Sequence, residues 1–184
     1  MLKKKGSILL SILCVILILL TACSAGGKNA VVTCDGFDIT LGKTTVAELK
    51  KAGFTNDYSF VDGQKIESMA SNIFYAMKDD VSYGFMYAVN RNASPIEFEK
   101  CVLREVTLSY GDSEFPIGEV LVNGVNFEGC TKEEIKETMG DATIILDDDT
   151  YLVFESGDSY YYFSFDDGSE TLTKLWVIID FGQN

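Results

Sequence analysis

From Val31 onward the apolar positions follow two periods. Most recur at every second residue between clusters of Gly, Asn and Asp, the spacing of strands with one buried face. Two short stretches instead place them three and four residues apart, the spacing of one helix face. The first block opens with Val31-Val32-Thr33-Cys34, the pair Asp35-Gly36, and Phe37-Asp38-Ile39-Thr40, a hairpin whose turn requires positive φ at both central residues. Thr45 with Glu48 then forms a capping box, Val46, Leu49 and Ala52 share a face, and Gly53 supplies a left-handed stop. Alternating strands follow from Ile73 to Met77, Ser82 to Val89 and Cys101 to Tyr110, with a further short strand at Tyr58 to Val61 before Asp62-Gly63.

After Gly111-Asp112-Ser113 the same order returns. A hairpin is expected over Ile117 to Glu128 around Asn123-Gly124, and a helix from Thr131 to Met139, capped by Thr131 and Glu134, with Ile135, Thr138 and Met139 inward. Strands are expected at Thr150 to Glu155, Ser159 to Phe165 and Thr171 to Phe181. Helices of two to three turns are marginal alone and must rest on a sheet. The expected fold is therefore α+β: two tandem repeats, residues 31–113 and 114–184, each a hairpin, a short helix and an antiparallel meander with the helix packed on one sheet face. Repeats of this size have barely sufficient cores, so their sheets are expected to share an interface.

The leader changes the picture. Lys3, Lys4 and Lys5 precede an apolar run from Ile8 to Leu20, too short to span a bilayer and suited to an export signal. Leu20-Thr21-Ala22-Cys23 resembles the lipobox of bacterial lipoproteins. That resemblance implies cleavage after residue 22, a diacylglycerol thioether on Cys23, and anchorage without spanning. Residues 1–22 then form the signal peptide and 23–30 a small, polar tether. Loss of the three lysines leaves 12 basic against 28 acidic residues, a net charge of −16. Nucleic acid and anionic headgroups would repel such a chain, so lipid on Cys23 is the membrane contact.

Chemistry is scarce. The chain has no histidine, which removes the usual general base, the usual metal ligand and the Ser-His and Cys-His pairs. Cys34, Cys101 and Cys130 would remain after processing, an odd number with no Cys-x-x-Cys spacing. Asp147-Asp148-Asp149 and Asp166 to Glu170 lack the alternation of a calcium loop and read as solvated turns. No cofactor or metal is expected; cysteine catalysis at Cys34, Cys101 or Cys130 would need a base that the sequence does not flag, while composition permits a carboxylate pair for glycoside hydrolysis.

Gly129 to Gly140 resembles the Gly-x-Thr-x-x-x-Val-x-x-x-Leu-Gly signature of small lipoprotein domains of the BamE/SmpA type, and a similar element recurs in the β-lactamase inhibitory protein. Asp141 stands where those families usually continue with proline, and Gly53 comes one residue early. The resemblance implies exported proteins that bind other proteins through a sheet. Strand parity points the same way. If Leu175, Val177, Ile179 and Phe181, with Val102, Val106 and Leu108, face the helices, then Tyr83, Phe85, Tyr87, Tyr160, Tyr162 and Trp176 share the opposite face. Tyrosine and tryptophan in such numbers mark protein-binding surfaces. The alternatives are that the two open faces pack on each other, or that the parity is one residue off, which would put every one of these residues in the core. The expected function is a membrane-anchored, extracytoplasmic, non-catalytic protein-binding lipoprotein with an envelope or extracellular protein partner. Behind it stand a structural accessory subunit of an envelope complex and a carboxylate-based hydrolase.

Overall fold

The computed structural model describes residues 29–56, 63–111, 117–166 and 168–182. The leader, Cys23 and the tether up to residue 28, the short strand expected at Tyr58 to Val61, and Asp112-Ser113 lie outside the described residues. Thirteen strands and two α-helices follow in chain order: β1 Val31–Cys34, β2 Phe37–Thr40, α1 Val46–Lys51, β3 Thr55–Asn56, β4 Lys65–Ile66, β5 Ser71–Lys78, β6 Val81–Val89, β7 Ile96–Glu97, β8 Val102–Ser109, β9 Val120–Val122, α2 Lys132–Met139, β10 Thr143–Asp147, β11 Tyr151–Ser156, β12 Ser159–Ser164 and β13 Lys174–Ile179.

The expected α+β architecture of two repeats is corrected. Of the described residues 49% lie in strands and 12% in helices, so the fold is mainly β. The helices are six and eight residues long, too short to form a layer. Eight strands form one antiparallel sheet in the order β3-β5-β6-β8-β13-β12-β11-β10. The last long strands of the two halves, β8 and β13, meet at its centre, with Val106 opposite Val177. A second sheet has the order β2-β1-β9. There the second half contributes only β9, which pairs with β1, Val32 opposite Val122, where a separate hairpin is expected. Beyond Asn123-Gly124 a single bridge, Val122 to Val125, is all that remains of that hairpin. Pairing of β8 with β13 joins the strands of the two halves into one sheet in place of two separate ones.

Local signals nevertheless form as chemistry dictates. Asp35-Gly36 and Asn123-Gly124 all take positive φ, the conformation a two-residue hairpin turn needs. Thr45 and Thr131 accept from the backbone N–H of Glu48 and Glu134, whose carboxylates accept in return from the threonine N–H groups. Both glutamates are held below the usual carboxylate range, first by that backbone hydrogen bond.

One face of the large sheet is the core. A row of side chains, Phe74, Met86, Val106, Val177, Tyr161, Phe154 and Ile144, crosses seven strands by direct pairing. All but Ile144 are buried. The three-stranded sheet closes this face with Val32, Cys34, Ile39, Val120 and Val122, aided by Phe98 from a short 3-10 helix, Phe98–Lys100, and Phe127 from a loop. The helices add Val46, Leu49 and Ile135. Polar ties fix the two sheets together: Ala30 N–H donates to Ser159 Oγ at 3.1 Å, and Asn123 Nδ2 to Tyr161 Oη at 2.8 Å. A side chain such as Phe163, 0% exposed and edge-on to Phe127, contributes about 2–3 kcal/mol by burial.

Candidate functional site: the helix-free face of the large sheet

The opposite face of the sheet carries two rows built by the same pairings. The first runs Ile73, Tyr87, Glu105, Ile178, Tyr160, Glu155 and Thr143, and the second Tyr75, Phe85, Thr107, Trp176, Tyr162, Val153 and Leu146. Phe85, Tyr87, Tyr160, Tyr162 and Trp176 are all half-exposed. The structure brings these five together on one face, as parity requires. The two halves' open faces lie side by side in one sheet and do not pack on each other.

Tyr83 is the exception. It is 7% exposed and packs edge-on against Phe54 at 5.4 Å between ring centroids, on the core side. Gly84 has φ +88° and the β5–β6 ladder slips between Tyr75 and Met77, so the side-chain alternation breaks just before Phe85. Tyr75 joins the face from β5, directly opposite Phe85, with the two ring centroids 3.7 Å apart. Tyr75 and Ile73 were not among the residues expected there, although β5 alternates clearly in sequence.

Glu105 stands at the middle of this aromatic field, between Tyr87 and Ile178 in the pairing. Burial pushes its carboxyl up, against the opposing influences of the Thr107 hydroxyl, which donates to it at 3.2 Å, and of Arg104. Tyr160 is also pushed up, first by the nearby Glu155 carboxylate. Tyr160 and Tyr162 lie 6.4 Å apart between centroids. The face thus combines flat apolar area and phenol hydroxyls, which are enriched at the centres of protein interfaces, with two carboxylates, which are depleted there.

Sequence reasoning also misses β10, which follows directly on the stop at Gly140. Its signal is the β-branched run Thr143-Ile144-Ile145, too short and too uniform to show a period. Ile144, Ile145 and Leu146 are 48%, 52% and 42% exposed.

Two of the three thiols are held in their unreactive form. Cys34, Cys101 and Cys130 are free. Burial, with a smaller push from Asp35, raises the Cys34 thiol to about 12, and burial followed by Glu99 raises Cys101 to about 11. A thiol held so far above neutrality is protonated and unreactive. Among the described residues no three His, Cys, Asp or Glu side chains converge to hold a metal ion, and none of their helices is long and apolar enough to cross a membrane. In the first acidic turn the Asp148 carboxylate accepts from the backbone N–H groups of Thr150 and Tyr151, and Asp147 pairs with Lys132 and Lys136. Comparison with protein-family models, with curated proteins and with solved structures finds no match to this chain.

Proposed function

We propose that the protein is a lipid-anchored, extracytoplasmic binding module without catalytic activity, which holds another protein of the cell envelope or its surroundings against the helix-free face of its large sheet. The observation that supports this reading is the pair of continuous rows on that face, with Phe85 and Tyr87 half-exposed on β6 and Tyr160, Tyr162 and Trp176 half-exposed on β12 and β13, one strand away across β8. Aromatic side chains of this kind bury large area at small entropic cost and dominate interface energetics. Their backbone positions are held by a core that closes on the other side of the same strands, so the surface is preorganised. The lipobox-like Leu20-Thr21-Ala22-Cys23 supplies the anchor in this reading, with the acidic domain projecting from the bilayer on its tether.

Site-specific photocrosslinking in intact cells of the native host tests the face. A benzophenone amino acid at Tyr87 or at Tyr162 is expected to trap a defined protein adduct. The same group at Glu133, exposed on α2, is expected to trap none. Absence of an adduct from both sheet positions, or equal trapping from all three, refutes the binding face. For the anchor, Cys23→Ser is expected to move the protein from the membrane fraction to the soluble fraction; retention in the membrane refutes it.

A further inference from the structure

The large sheet ends in two edges of different character. At β3 the described edge is two polar residues, Thr55–Asn56. At β10 it is Thr-Ile-Ile-Leu-Asp, with every residue exposed. β10 pairs with β11 on one side and is the terminal strand of the order. Its second row of backbone groups faces outward as a template for another strand. Proteins blunt such an edge with lysine, proline, short length or a β-bulge; residues 143–147 contain neither lysine nor proline, and a bulge is the one of these devices present. The ladder slips once, between Ile144 and Leu146, leaving Ile145 as the extra residue. Three large apolar side chains, 42–52% exposed, therefore stand on a strand whose outer edge pairs with no other strand among the described residues.

The surrounding charge selects among occupants. Asp141 precedes the strand, Glu155 lies opposite Thr143, and Asp147, Asp148 and Asp149 close its far end. Asp147 is already held by Lys136 at 2.5 Å and Lys132 at 3.1 Å, and Lys132 also donates to the Asp148 carbonyl. Asp141 and Asp149 are exposed at the two ends. A second copy paired antiparallel about Ile145 would set Asp141 against Asp149 at both ends, within a chain of net charge −13. Like charges directly opposite destabilise a strand pair.

The geometry points to β10 as the acceptor for one extended segment of another polypeptide, added as a ninth strand, whose centre is apolar and whose two ends carry lysine or arginine. The apolar centre covers Ile144 on the core side and Leu146 on the aromatic side, and the terminal cations meet Asp141 with Glu155 and Asp148 with Asp149. This rests on the edge alone and stands independently of the face proposed above.

The test uses the full chain in detergent and a fluorescein-labelled synthetic peptide, Lys-Thr-Val-Ile-Val-Thr-Lys, read by anisotropy. Binding is expected for this peptide and to be weaker by about fivefold for the twin with glutamate at both ends, as two rim charge pairs imply. A twin N-methylated at alternate backbone nitrogens is expected not to bind. Ile145→Lys is expected to abolish binding while leaving the melting temperature unchanged, because the side chain is 52% exposed; Tyr151→Ser, on the neighbouring strand, is expected to keep it. Failure of the lysine peptide to bind, equal binding of the glutamate or methylated twins, or unchanged binding by Ile145→Lys overturns the proposal. So does a concentration-dependent dimer of the wild-type chain that Ile145→Lys dissolves, since the occupant is then a second copy.

Discussion

Tyr83 and Phe85 are two residues apart in β6, yet they point to opposite faces of the sheet: Tyr83 packs on Phe54 in the core, and Phe85 stacks on Tyr75 outside. Gly84 between them makes this reversal possible. Its φ is +88°, and a Cβ there would stand 2.4 Å from the Thr107 carbonyl oxygen and 3.0 Å from Leu108. Both the positive φ and the closeness of β8 exclude a side chain.

Gly84→Ala is therefore expected to cost about 2–4 kcal/mol, from left-handed strain added to a backbone clash that no rotamer relieves. Urea unfolding of the variant measures it. A loss below 1 kcal/mol would mean that β6 runs straight and that Tyr83 belongs with Phe85 after all, on the order expected for surface substitutions.

The two faces should respond differently to truncation. Tyr160→Ser combined with Tyr162→Ser removes half-exposed rings whose contacts are cross-strand pairs, a loss of about 1–2 kcal/mol. Phe163→Ala, next to Tyr162 on the buried side of the same strand and 0% exposed, is expected to lose about 3–5 kcal/mol. If the double tyrosine variant loses as much as Phe163→Ala, something covers the aromatic face in the free protein and the binding surface is refuted.

The elements legible in the sequence are those encoded within a few residues. Asp35-Gly36 and Asn123-Gly124 specify their turns, and Thr45 with Glu48 and Thr131 with Glu134 specify both helix starts, because each is a contact between near neighbours. Parity along β12 and β13 places Tyr160, Tyr162 and Trp176 correctly for the same reason. What the sequence hides is non-local. Nothing in Val120–Val122 says that it pairs with Val32 and Cys34 rather than with its own hairpin partner. The conformation of Gly84, which misplaces Tyr83, depends on β8 lying against β6. The α+β expectation fails at this level, since two capped helices were readable while the cross-half pairing that fuses the strands into one sheet was not.

Glu105 offers a test by pH. Burial raises its folded-state carboxyl above the unfolded value, so the native state holds its proton more tightly than the unfolded chain does. The charged form then opposes folding above the folded pKa, and this opposition fades as pH falls from there toward the unfolded carboxylate range. Glu105→Gln removes the effect. The variant is expected to be more stable than wild type at neutral pH, with the difference shrinking as acid protonates Glu105. Paired urea titrations across pH 7 to 4 check this. A difference of constant size, or one that grows in acid, overturns the assignment. The capping glutamates Glu48 and Glu134 have lowered values and contribute in the opposite sense. Their stabilisation is present above the unfolded pKa and is lost as pH falls through the folded one.

The cysteines distinguish local from global opening. Cys34 is 0% exposed in β1, in the sheet that closes the core, and its thiol is pushed up to about 12. Cys101, also 0% exposed, lies where its carbonyl accepts from Val46 N–H at the start of α1. Cys130 is half-exposed at the entrance to α2, and its thiol donates only a long contact, 3.8 Å, to the Asn126 carbonyl. A thiol must both reach solvent and lose its proton to be alkylated, so burial protects Cys34 and Cys101 twice over. Under native conditions at pH 8 with iodoacetamide, peptide mapping is expected to find Cys130 modified first. Cys34 and Cys101 should follow at a common slow rate set by unfolding of the core they share. In sub-denaturing urea that common rate should rise in proportion to the global unfolding equilibrium while the Cys130 rate barely changes. Should Cys34 react as fast as Cys130 without denaturant, the small sheet would be opening independently of the large one, and the closed core would not be the ground state in solution.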